Sequence, residues 1–370
     1  MKIAFCYAPE LLNNRPLDFH NLWSSPRGMT GSESSLVIFA RELAALKHDV
    51  TLFVPGPNAD SFDGVQLRHL EGVPTAELSG FDCVISFIYS RFLAGLPESI
   101  LRVNLQTCNS HDYEHENFED SVDLFLSPSD AHRRFMAKWT LTAQEKWRTL
   151  RLGCYLSDYD LSVPKVPGRC VWTSSPDRGL DLVLSEWPEI RKAVPHASLR
   201  IFYAGLPGYI SWASPIQPDE GRPIDQIEHG YAARTIAEGI KYEGVEVVGS
   251  VSREQMAREL AQAQVLTFPV RTRLWSEGFS CSTLEGCASG AIPILAECDA
   301  IGEVYEDVCP MVSYPAEENM EEWRHLVILA LTDESSRKVW VESAYTFAQV
   351  HDYRVIVRDL EALLFEAIER

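Results

Sequence analysis

The sequence predicts an α/β protein built from two doubly wound parallel sheets. Three observations carry that expectation. Short β-rich runs alternate with helical patterns along the whole chain. The alternation restarts after a proline-rich stretch, Ser162-Val-Pro-Lys-Val-Pro-Gly168. At 370 residues the chain is also long for a single core.

Taken in order, the first half offers strands at 2–7, 49–54, 83–88, 101–105 and 123–127. Between the first two, the pattern predicts a helix over 33–47, with Leu36, Phe39, Ala40, Leu43 and Ala44 on one face. The second half offers strands at 170–174, 198–203, 245–249, 264–269, 292–295 and 311–313. Segment 205–243 is rich in Pro and Gly and reads as a long loop with a helix at its end. The domain boundary is expected at 155–168, between a domain over 1–160 and a second over 169–350, followed by a last helical segment, 351–370. No short-period repeat or low-complexity tract is present.

The net charge of −20 argues against a general nucleic-acid binder and against an anionic membrane as the main partner. One segment, 131–151, is locally basic, with Arg133, Arg134, Lys138, Lys146, Arg148 and Arg151 beside Trp139 and Trp147. It reads first as a solvated helix face, and second as a contact for an anionic acceptor or membrane surface. The nine cysteines form no CxxC pair and fit free thiols in a reducing compartment. No apolar run approaches the roughly 20 residues that span a bilayer. The first residues, Met1-Lys-Ile-Ala-Phe-Cys-Tyr7, read as a buried strand rather than a signal peptide. The expected location is the cytoplasm, with at most peripheral membrane contact.

The most informative stretch is Trp275-Ser-Glu-Gly-Phe-Ser-Cys-Ser-Thr-Leu-Glu285. Glu277 and Glu285 stand eight positions apart across a turn and a helix start. Gly278 lets a ligand approach the backbone. Ser280 is a good N-cap, so the first-turn amides, with Phe279 and Ser280 before them, would face an anion such as phosphate. Glu285, inside the helix, can accept from two neighbouring hydroxyls, and Glu277 faces whatever lies beyond the phosphate. A phosphate flanked by hydroxyl acceptors describes a nucleotide sugar.

With the following run, Cys287-Ala-Ser-Gly290-Ala-Ile-Pro293-Ile, this stretch resembles the E-x7-E signature of retaining GT-B glycosyltransferases, those of family 4 in particular. The resemblance covers most of the chain and is closest at 171–183 and 264–295. It implies the GT-B fold, two Rossmann-like domains facing a cleft, with the last helix returning to the first domain. It implies a hexosyl- or related transferase that retains anomeric configuration and uses no cofactor. It further implies a UDP- or GDP-sugar as donor and an acceptor, whether glycan, lipid-linked or small molecule, bound mainly by the first domain. Arg178, before Gly179, matches the cation on the donor diphosphate, while Thr173 stands where a second Arg is usual. Arg271 or Arg273 is a candidate for that missing charge. Gly31, in Gly28-Met-Thr-Gly31-Ser-Glu33, matches a Gly-Gly-x-Glu turn that reaches the phosphate, although Thr30 replaces one Gly and also suits a capping box. His111 matches a His near the anomeric centre, and Val251 a turn that positions the base. Leu152 replaces the Asn usual between the domains.

No metal is expected. His111 and His115 lack the H-E-x-x-H order, and Asp158-Tyr-Asp160 lies in the linker, where it reads as solvation. Two other readings stay open: a binding protein of the same fold with catalysis reduced, and a different nucleotide enzyme on paired Rossmann domains. No G-x-G-x-x-G follows the first strand, which argues against a dehydrogenase. A nucleic-acid-modifying glycosyltransferase is disfavoured by the acidic charge.

Overall fold

The structure, a computed structural model, describes residues 1–8, 17–55, 61–70, 75–109, 119–219, 221–271, 275 and 277–369. The chain divides into two units. One comprises Met1–Ser25, Met29–Gly153 and His351–Arg370, the other Pro26–Gly28 and Cys154–Val350. The division falls just before the expected boundary. Segment 154–168 belongs with the second unit, where Lys165 Nζ donates to the carbonyl of Ser289 (2.7 Å).

The first unit runs β1 (Lys2–Tyr7), α1 (Gly31–Ala45), β2 (Asp49–Val54), β3 (Ser61–Phe62), β4 (Val65–His69), α2 (Thr75–Leu78), β5 (Cys83–Phe87), β6 (Leu101–Leu105), β7 (Leu124–Ser127), α3 (Asp130–Trp139) and β8 (Trp147–Thr149). Its sheet has the order β3-β4-β2-β1-β5-β6-β7-β8 and is parallel except for β3. Ile3 stands opposite both Val50 and Cys83. Residues 3–7 are all buried, the mark of a central strand covered on both faces. The elements expected from the sequence pattern do not include the β3–β4 hairpin, the short helix α2 or the short strand β8.

The second unit runs β9 (Arg169–Trp172), α4 (Leu180–Ala193), β10 (Ser198–Ile201), α5 (Leu206–Ala213), α6 (Ile224–Gly239), β11 (Val245–Val247), α7 (Arg253–Gln262), β12 (Val265–Phe268), α8 (Cys281–Ser289), β13 (Ile292–Ala296), α9 (Ile301–Tyr305), β14 (Met311–Val312), α10 (Met320–Thr332) and α11 (Glu334–Gln349). Its parallel sheet has the order β11-β10-β9-β12-β13-β14. Segment 205–243 holds two helices, α5 and α6, rather than one.

The chain builds outward from β9 through β10 to β11, then crosses back to place β12 on the other side of β9. The loops after β9 and β12 therefore leave in opposite directions, and a crevice opens between them at the carboxyl edge of the sheet. The last helix, α12 (Tyr353–Ile368), lies on α1 in the first unit. There Tyr353 meets Phe39 edge-on, its hydroxyl is 3.0 Å from Ser35 Oγ, and His48 Nε2 lies 2.8 Å from a Glu361 carboxylate oxygen. Among the described residues no helix is long and apolar enough to cross a membrane.

Candidate active site

Arg178 ends a 3-10 turn, Pro176–Arg178, that links β9 to α4. Gly179 follows with φ 111°, and a Cβ there would stand 2.6 Å from the carbonyl oxygen of Pro269. Only glycine lets the β9 and β12 loops approach so closely. The backbone N–H of Arg271 then donates to the carbonyl of Arg178 (3.1 Å), tying the two loops across the crevice.

On the β12 side, the backbone of Glu277 is held at both ends. Its N–H donates to Oδ2 of Asp299 (2.9 Å), and its carbonyl accepts from the N–H of Ala300 (3.1 Å). This clamp directs the carboxylate at Arg178, whose Nη1 donates to Oε1 of Glu277. Burial pushes the Glu277 carboxyl above the usual carboxylate range. Arg178 opposes that rise, while Asp299 and Asp177 add to it. The sequence predicts a diphosphate at Arg178 and a sugar at Glu277; in the structure the two side chains pair with each other.

Arg271 departs from its expectation. Its Nη2 donates to both carboxylate oxygens of Asp181 (2.8 Å each), and its Nη1 to Glu317 (3.2 Å). The residue is buried, and its charge is matched by these two partners. In this structure its guanidinium braces the loop through these carboxylates. Arg273, the other candidate, and His111 lie outside the described residues. Gly278 is buried. Phe279 is buried too, its ring 6.0 Å from that of Tyr305, so its side chain belongs to the core and only its backbone is left for a ligand.

Ser280 takes a left-handed backbone (φ 69°) and caps α8, its Oγ accepting from the N–H of Thr283 (3.3 Å). Tyr305 supports the turn by donating its hydroxyl proton to the Ser280 carbonyl (3.0 Å). A left-handed non-glycine residue costs about 1–2 kcal/mol, which the cap and this bond offset. Glu285 lies just over one turn into α8, where its Oε1 accepts from Nη1 of Arg253 (3.0 Å). Asp158 and Tyr159 of the connecting segment stand beside this pair, so Asp158 does more than solvate a linker. Val251 is half-buried just before α7. A Cβ on Gly28 would stand 2.7 Å from the Val251 carbonyl oxygen.

Gly31 opens α1 in the first unit and is exposed. Thr30 and Glu33 form the reciprocal capping box: Thr30 Oγ1 accepts from the N–H of Glu33 (3.2 Å), and Glu33 Oε2 from that of Thr30 (2.8 Å). In the basic segment 131–151, Lys146 and Arg148 are held by backbone carbonyls: Lys146 donates to those of Glu119 and Val122, and Arg148 to those of Glu145 and Trp147. Among the described residues no three His, Cys, Asp or Glu side chains converge as metal ligands.

The second unit thus assembles a cation, a helix N-terminus and two carboxylates at the switch point of a parallel sheet. Of the residues that complete it, Asp299 and Arg253 left no trace in the sequence, because they act through folding contacts 22 and 32 positions away.

Residues 167–333 match the family model described as glycosyl transferases group 1. A comparison with curated proteins finds no match. Among solved structures, the chain is similar to a sucrose-phosphate synthase from Thermosynechococcus elongatus (TM-score 0.68, 13% identity, 99% of this chain and 98% of that one). It is also similar to a glycosyltransferase from Rickettsia africae (TM-score 0.67, 11% identity, 100% and 99%). A third likeness is to Anabaena HepE, solved in complex with UDP and glucose (TM-score 0.65, 13% identity, 99% and 100%). At such identities the likeness speaks to the fold. The protein has the GT-B fold of two Rossmann-like domains, and its residues 167–333 are similar to the group 1 glycosyl transferases.

Proposed function

We propose that this protein is a glycosyltransferase that moves a sugar from a nucleotide-sugar donor to an acceptor, with retention of anomeric configuration and without a metal ion. One observation carries the reading: Arg178, Glu277 and the N-terminus of α8 meet at the switch point between β9 and β12, with Glu285 about one turn further along α8. The diphosphate would lie against Arg178 and the α8 amides, the ribose at Glu285, and the sugar at Glu277. As the nucleoside diphosphate leaves, charge grows on its terminal phosphate. A fixed guanidinium and helix dipole stabilise that charge without reorganising. The UDP bound by HepE supports a pyrimidine donor as the first to try. The acceptor is assigned to the first unit, with His111 and Gly31 as its proposed contributions to the reaction.

Hydrolysis of the donor tests this without knowledge of the acceptor. UDP-, GDP-, ADP- and TDP-sugars would be incubated with the protein in a chelator and followed by proton NMR. The expected result is slow release of one sugar, appearing first as the anomer present in the donor. Binding without release would leave a binding protein of the same fold. Release only with Mn²⁺, or of the inverted anomer, would contradict the mechanism.

A further inference from the structure

Arg253 is brought by the fold to the nucleotide side of the site. It is the first residue of α7, set there by Ser252, whose Oγ accepts from the N–H of Gln255 (3.2 Å). Its Nη1 donates to Oε1 of Glu285 (3.0 Å), and its Nε lies 3.5 Å from Oδ2 of Asp158. The Arg253 and Glu285 side chains are 13% and 18% exposed, so water screens the pair far less than a surface ion pair. A cation in the first turn of a helix opposes the helix dipole. Stabilising α7 therefore does not explain the position of Arg253, whereas its carboxylate partners do. Oε2 of Glu285 has no protein partner among the described residues. Burial, then the nearby Glu285, push the Tyr159 phenol well above its ordinary range, so this neighbour stays uncharged.

We infer that Arg253 is a positioning residue for nucleotide recognition: by holding Oε1 of Glu285 it presents Oε2 to the ribose diol, and so sets a preference for ribonucleotide over deoxyribonucleotide. The inference rests on the reading of Glu285 as the ribose acceptor. The planar guanidinium matters, because it fixes the direction of the carboxylate where an ammonium would supply charge alone.

The test is calorimetric titration of UDP, GDP and their 2′-deoxy forms into wild type, Glu285→Gln, Arg253→Gln and Arg253→Lys. Wild type is expected to prefer the ribonucleotide by roughly tenfold or more. Glu285→Gln removes the preference. Arg253→Gln lowers it to about threefold or less, with affinity for the 2′-deoxy form within about twofold of wild type, because the two changes act on one contact. Arg253→Lys falls between them. A full preference in Arg253→Gln, with none in Glu285→Gln, overturns the inference and leaves the ribose reading in place. A preference that survives Glu285→Gln, or no binding of either nucleotide to wild type, overturns both. Arg253→Gln removes a charge that the α7 dipole disfavours and is expected to fold. Should it not, Arg253→Lys carries the same comparison.

Discussion

Glu277 and Arg178 form a pair that the proposed donor would have to open in part. In Glu277→Gln the guanidinium loses its nearest anionic partner, leaving Asp177 at 3.9 Å, and is more available to a diphosphate. The expected outcome is unchanged or tighter binding of free nucleoside diphosphate, with donor turnover lower by tenfold or more, an order set by one lost charge-assisted hydrogen bond of roughly 1.5–3 kcal/mol. Parallel titration and donor-hydrolysis rates check it. A second residue gives a pH-dependent effect. Burial lowers the pKa of His132, capped into α3 by Ser129, from the ordinary 6.5 to about 4. The folded state holds this imidazole neutral, while the unfolded chain takes up a proton below the ordinary value. Stability from His132 is therefore present above pH 6.5 and is lost as pH falls toward 4. The loss is about 3 kcal/mol, and His132→Gln should flatten that part of a urea-denaturation series against pH. At this scale the sequence showed the residues whose chemistry is local. Glu277, Ser280 and Glu285 stand in one turn and helix, and Arg178 at one strand end. Asp299 and Arg253 were silent, because an aspartate after a strand and an arginine at a helix start look like any others.

At the scale of elements, the joint between the β9 and β12 loops is the sensitive point. Gly179→Ala would force a left-handed Cβ against the Pro269 carbonyl. It is expected to cost about 1–3 kcal/mol and to weaken diphosphate binding as the Arg178 turn moves, read by denaturation and titration on the same variant. The Arg271–Asp181–Glu317 cluster braces the same joint. The main strands and α1 were legible because buried strands and an apolar helix face repeat over several residues. The β3–β4 hairpin does carry a local signal: Asp63-Gly64, with φ of 45° and 86°, is the favoured two-residue turn between strands. Strand β8, three residues long, is too short for alternation to show. Segment 205–243 hid α5 because a short helix opening Leu-Pro-Gly carries two residues that usually signal a loop.

At the scale of the molecule, each unit is a doubly wound sheet, and the proposed donor contacts gather at the switch point of the second. Strand order was not legible, because alternation of elements gives parallel sheets without saying which strand lies beside which. The switch point became visible only when β12 was found beside β9. A net charge of −20 makes the surface repel anions at a distance, so capture of the proposed anionic donor would depend on local groups, Arg178 and the α8 amides above all. The most direct measurement is calorimetric titration of UDP- and GDP-sugars, in a chelator, into wild type and Glu285→Gln. One donor should bind wild type without metal and lose roughly tenfold or more of its affinity in the variant. Equal binding to both proteins, or binding to neither, would contradict a donor site built on α8.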